Sequence, residues 1–206
     1  MRVDVVNSSM ASSVRDRIVN AALDRFHALG FNACGVQDIV DAAGVPKGSF
    51  YNYFKTKELL ALEILDIYGQ GSRREMLSDK RVPPVKRLRA HFEFMAFRYE
   101  GFGFGKGCLI GNLAAEMSEN TPLLRKALAQ SLKRWTELVA AAIRDGQAAG
   151  SIAAGLDAPE VARFLINSWE GAVVRMKIVN SRQPLDDFFS IAFPLLTAPK
   201  PGPRAT

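Results

Sequence analysis

Lys47, Gly48, Tyr51, Asn52 and Lys55 fall on one side of a short stretch whose other side holds Phe50 and Phe54, one helical turn apart. A helix built that way turns a cation, a residue without a side chain, an aromatic hydroxyl and an amide outward together. That set suits base edges in a DNA major groove. Lys47 and Lys57 can neutralise phosphates, Gly48 lets the backbone approach a base edge, and Tyr51 can pack on a thymine methyl or bond a phosphate. An ordinary surface helix over an aromatic core would show the same pattern. The other reactive candidate is Cys108, which follows Gly105-Lys106-Gly107 and opens a short helix. There the positive end of the helix dipole and a nearby ammonium favour thiolate, the form that attacks electrophiles. A small, buried, unreactive cysteine is the alternative.

Helices must carry these groups, because helical periodicity dominates the chain and alternating strand patterns are nearly absent. Val14, Ile18, Ala22, Phe26 and Leu29 form one apolar stripe, with Ser12 or Ser13 as its cap and Gly30 as its stop. Residues 36–54 read as a helix, a tight turn and a second helix. Val36, Ile39, Val40 and Ala43 make the buried face, Gly44 supplies a left-handed turn, Val45 tucks inward and Pro46 begins the next helix. Further helices are expected at about 56–70, 84–99, 108–118, 121–150, 157–181 and 185–196, giving an all-α chain of about nine helices. The expected division is a disordered tail at 1–13, a helix-turn-helix unit at 14–57, a larger helical unit at 58–197 and a disordered tail at 198–206. The two units are expected to be joined by a continuous helix.

Composition excludes several classes. The 206 residues, 48% hydrophobic and 23% charged, are enough for a real core and do not resemble a fibrous or disordered chain. No apolar run approaches the length of a membrane span, so a soluble, cytoplasmic protein without a membrane partner is expected. The net charge of +6 is spread out, since residues 1–57 hold 7 basic against 5 acidic groups. Two cysteines, Cys34 and Cys108, and two histidines, His27 and His91, lack metal-site spacing, so neither metal nor cofactor is expected. The run Gly101 to Gly107 fails the spacing of a phosphate-binding loop. With no nucleophile, base and acid in a recognisable arrangement, the chain is not expected to be an enzyme.

The string GFNACGVQDIVDAAGVPKGSFYNYFKTKELL resembles the DNA-binding unit of the TetR family of transcriptional regulators: an AGV turn, a KG-x-F-Y recognition helix and an F-x-x-K-x-x-L exit. The resemblance spans Val14 to Leu60. It implies that Lys47, Gly48, Tyr51, Asn52, Tyr53 and Lys57 occupy DNA-contacting positions, with Gly35 at the start of the second helix. Where the family often carries Thr-Thr, this chain has Cys34-Gly35, and Asn52 stands where His or Tyr is common. Two later segments, GKGCLIGNLAAEM and SWEGAVVRMKI, look like the ligand domains of the AcuR and NemR branch of that family. In that branch the cysteine of GCL is a sensing thiol and a lysine of the later helix lies near it. The matching residues are Cys108 and Lys177.

A pocket is expected between the long helices, with Trp135 and Trp169 in its wall and Asn112, Glu116, Glu170, Arg175 and Lys177 as polar groups, Arg175 or Lys177 pairing with a carboxylate. Core packing of the tryptophans, salt bridges for the two glutamates and a dimer role for Arg175 are the alternatives. The last two helices, through Val161, Phe164, Leu165, Val173, Phe188, Phe189, Phe193 and Leu196, are expected to form a four-helix dimer interface. The expected function is a homodimeric repressor of a palindromic double-stranded operator, released by a small effector, an electrophile or a small unsaturated carboxylate. Its rivals are an architectural DNA binder without an inducer and a helical enzyme.

Overall fold

The computed structural model of the chain describes residues 13–117 and 121–197. Nine α-helices and no strand occur among them: α1 Val14–Ala33, α2 Val36–Ala43, α3 Lys47–Tyr53, α4 Lys57–Gly71, α5 Pro84–Gly101, α6 Leu109–Ala115, α7 Pro122–Ala148, α8 Ala158–Val179 and α9 Gln183–Leu196. A 3-10 turn at Arg74–Ser78, which periodicity does not reveal, links α4 to α5. Residue 13 is no part of a loose tail: Ser13 and Asp16 form a reciprocal capping box at the start of α1. The remainder of both expected tails lies outside the described residues.

Gly30 is a kink rather than a stop. Its φ of 80° breaks the helical path, and α1 then resumes to Ala33. Neither is the recognition unit continuous with α4. Phe54 and Thr56 are extended, and Thr56 caps α4 by accepting the Leu59 N–H at 3.1 Å. Side-chain bonds therefore join the two units. Arg15 pairs with Glu63 at 2.6 Å, and Glu116 accepts the N–H groups of Phe31 at 3.2 Å and Asn32 at 2.7 Å; within the larger unit Glu58 accepts the Leu124 N–H at 3.0 Å, capping the first turn of α7.

Helices α5, α7, α8 and α9 enclose an aromatic interior. The Phe92 ring sits 5.2 Å from Trp169 and 5.0 Å from Phe188. Filling this space takes the whole inner face of α9, so Phe188, Phe189, Phe193 and Leu196, with Leu165 and Val173 of α8, are buried within the chain itself. The expected interface assignment is thus corrected for these six. Phe164, from the expected set, stays exposed, and Ile191 and Leu195 of α9 are exposed with it.

Candidate functional site

The turn between α2 and α3 is held at three points. Gly44 adopts φ 62°, the Val45 N–H reaches the Val40 carbonyl at 3.0 Å, and Arg17 donates to the carbonyls of Ala43 at 2.5 Å and Gly44 at 2.7 Å. A side chain at Gly44 would meet both the left-handed strain and the Arg17 guanidinium. Gly35 precedes α2, and its N–H is taken by the Asp38 carboxylate at 2.7 Å. Phe50 on α3 and Phe54, the residue that ends it, are buried, with rings 5.8 Å apart. This anchoring leaves Lys47, Gly48, Asn52 and Lys55 exposed, Tyr51 54% exposed and Tyr53 47% exposed. Beyond the helix's own backbone and the neighbouring residues, no atom among the described residues lies within 4 Å of where a Gly48 side chain would begin, so that stretch of backbone is open to a close partner.

Lys57 is placed differently from these. Its ammonium donates to the carbonyls of Phe31 at 2.6 Å and Cys34 at 2.7 Å and lies 4.3 Å from the Phe31 ring. It braces the end of α1 against the start of α4, and the charge expected on a phosphate is committed to the protein's own backbone.

The second set of residues separates into three places. In the interior, Cys108 is 4% exposed, and burial followed by the Glu170 carboxylate pushes its thiol up to about 12. The thiolate expected from the helix dipole and Lys106 is therefore overturned in this arrangement, because desolvation outweighs a single short helix end. Lys106 turns away to pair with Asp24 at 2.8 Å. Burial also raises the Glu170 carboxyl, and it raises the phenols of Tyr68 and Tyr99 well above their usual range, with Cys108 the next contributor to each phenol. Trp169 stacks on Tyr99 with centroids 6.2 Å apart. Trp135 donates its indole N–H to His91 at 2.9 Å and lies under the Arg74 guanidinium. Among the described residues, the Trp169 indole N–H and Glu170 Oε1 are buried without a hydrogen-bond partner. Such groups are what a polar ligand would satisfy.

Asn112, Glu116 and Lys177 line an outer cleft of about 410 Å³ between the α1 kink, α6 and α8, together with His27 and Gly30. Asn112 donates to the Lys106 carbonyl at 2.9 Å, and Glu116 accepts the N–H groups of Phe31 at 3.2 Å and Asn32 at 2.7 Å. His27, buried beside Lys106 and Arg98, is lowered to about 4 and so stays neutral at pH 7. Arg175 belongs to neither place. It lines a groove of about 500 Å³ on the outer face of α8 and α9 with Phe164, Ser168, Asp187 and Ile191, away from Cys108. Grouping all eight as one pocket is thus corrected.

Sequence reasoning missed Tyr68, Tyr99, His27 and Arg74. Tyr68 falls one turn beyond Ile64 on an apolar stripe, where it reads as core packing. Only the fold brings its hydroxyl toward Cys108.

Residues 18–64 match the family model for bacterial regulatory proteins of the tetR family, and residues 84–192 that of the tetracyclin repressor-like C-terminal domain. The chain is 38% identical over 186 residues to the HTH-type transcriptional repressor DhaR of Mycobacterium sp. strain GP1, covering 89% of this chain and 92% of that protein. It is 33% identical to the transcriptional regulator AcuR of Cereibacter sphaeroides, covering 86% and 83%, and 27% identical to the repressor NemR of Escherichia coli, covering 77% and 81%. A crystal structure of a Rhodobacter sphaeroides regulatory protein TetR superposes with a TM-score of 0.83 at 32% identity, covering 90% of this chain and all of that one. The reduced form of E. coli NemR shares the fold, with a TM-score of 0.79 at 24% identity and coverage of 90% and 99%. The likeness runs through both halves of the chain and through relatives of similar length that regulate transcription and are not enzymes, so this chain belongs to the TetR family of transcriptional regulators.

Proposed function

We propose that the chain is a homodimeric repressor that holds a palindromic operator and releases it when a small effector enters the C-terminal unit. The observation that carries this reading is the outer face of α3. Lys47, Gly48, Tyr51, Asn52 and Tyr53 are presented together on a helix whose far side is locked by two buried phenylalanines. Residues 14–57 form the DNA-binding unit, with Gly35 bringing the start of α2 toward the phosphate backbone, and residues 58–197 form the effector and dimerisation unit. Lys57 acts in DNA binding by bracing α1 against α4.

One chain supplies one recognition helix, and two half-sites about 34 Å apart require two. The exposed Phe164, Ile191 and Leu195 beside Arg175 and Asp187 support self-association through α8 and α9. The effector enters the interior around Cys108, Tyr68, Tyr99, Trp169 and Glu170. An electrophile reacts there only after something draws the Cys108 proton away. A carboxylate finds its cation at Lys177 in the outer cleft, since a second acid beside buried Glu170 is disfavoured. The protein works in the cytoplasm, where its operator lies.

Selection from a random duplex library is the test. A two-fold symmetric consensus with half-sites one turn apart, bound at least about 10³-fold tighter than random duplex, is the expected result. Recovery of duplexes without a consensus, bound as tightly as random DNA, would leave only architectural binding.

A further inference from the structure

Helix α6 is one short rod with a different attachment at each end. Cys108 precedes its first turn, facing the interior, and Glu116 follows its last. The Glu116 carboxylate accepts the backbone N–H groups of Phe31 and Asn32, while its own carbonyl accepts from the Asn32 side chain at 3.1 Å. Those two N–H groups are free for it only because α1 breaks at Gly30. A methyl group at Gly30 would overlap the carboxylate, so the kink and the carboxylate fit one another. Directly behind the kink, Lys57 holds the carbonyls of Phe31 and Cys34, which carries the position of α1 on into α2 and α4. One turn along α6 from Cys108 lies Gly111, and a methyl group there would overlap the Glu170 carboxylate of α8. The rod is thus packed without slack between α8 in the interior and α1 in the DNA-binding unit.

We propose that Glu116, rather than contacting effector, is a positioning residue that converts displacement of α6 from the Cys108 core into a change in the set of the DNA-binding unit. The inference rests on the effector and DNA readings above. A seven-residue helix is about 10 Å long and does not bend appreciably, so a shift at Cys108 or Gly111 arrives at Glu116 nearly undiminished. Loss of the Glu116 bonds frees the final turn of α1, and the Lys57 brace passes that freedom to the α2 and α3 pair.

A cycle of variants tests this without knowledge of the effector. Gly111→Ala imitates an occupied core by pressing α6 away from Glu170. In the full-length protein it should raise amide hydrogen exchange in the peptide covering residues 29–33 at least tenfold and weaken binding to the selected duplex at least tenfold. Glu116→Ala alone should do the same, and adding Gly111→Ala to it should change either quantity less than twofold. Glu116→Gln, which keeps one acceptor oxygen, should fall between wild type and Glu116→Ala. Cys108→Met is a second way to crowd the core if Gly111→Ala does not fold. Equal effects of the core variant with and without Glu116, or unchanged exchange at residues 29–33, would overturn the proposal. The exchange measurement requires no DNA, so it stays decisive if the recognition reading fails separately.

Discussion

Cys108 shows how one residue's environment reverses what its neighbours in sequence suggest. Lys106 and a helix start argue for thiolate, yet the fold seals the sulfur beside Glu170 and sends Lys106 to Asp24. With the thiol pushed up to about 12, only about 10⁻⁴ of it is thiolate at pH 8. In a Cys34→Ala background, alkylation by N-ethylmaleimide at pH 7.5 should therefore be at least about a hundredfold slower than that of an exposed thiol. Its rate should climb with pH past 9 without levelling. Glu170→Gln removes a negative charge that opposes ionisation, so it should speed the reaction. A rate that levels below pH 7 would show a thiolate already formed. Lys47, Gly48, Tyr51 and Asn52 were legible in sequence because Phe50 and Phe54 dictate which side of a short helix turns outward. Glu116 and Lys177 were singled out too, but their place in a cleft apart from Cys108 was not legible, because that cleft is built from α1, α6 and α8, far apart in sequence.

Among elements, the junction of α1, α2 and α4 decides how the DNA-binding unit is held. Lys57 satisfies two carbonyls at the end of α1, and Lys47 stands exposed at the start of α3. Lys57→Met should cost about 2 kcal/mol in stability, since two half-buried acceptors lose a charged donor. It should leave the slope of binding against salt concentration unchanged. Lys47→Met should lower that slope by about one ion without altering thermal stability. Melting curves and salt titrations of both variants check this, and exchanged roles would contradict it. Most helices were readable from apolar stripes, caps and the Gly44-Val45-Pro46 turn, all local signals. The kink at Gly30 and the 3-10 turn were not, because each is fixed by contacts from distant segments: Glu116 for the first, and α7, whose Ser131 carbonyl accepts from Arg74, for the second.

At the scale of the molecule, two units share one core. Helix α4 packs on α1 and on α7, the Glu58 carboxylate ties α4 to the start of α7, and the Glu116 carboxylate binds the α1 backbone across the boundary. Periodicity marked α8 and α9 as apolar but could not tell their inner face from their outer one. The aromatic interior claims Phe188, Phe189 and Phe193, leaving Phe164, Ile191 and Leu195 exposed, the face proposed above for self-association. In the proposed function all of this presents α3 to DNA, and one residue tests that proposal most directly. Tyr51 is half-exposed on the recognition face, with its ring edge on Phe50 at 5.2 Å and no role in holding the units together. Footprinting of Tyr51→Ala on the selected duplex should show specific protection lost, with thermal stability and oligomeric state unchanged. Protection equal to that of wild type at the same protein concentration would contradict the account.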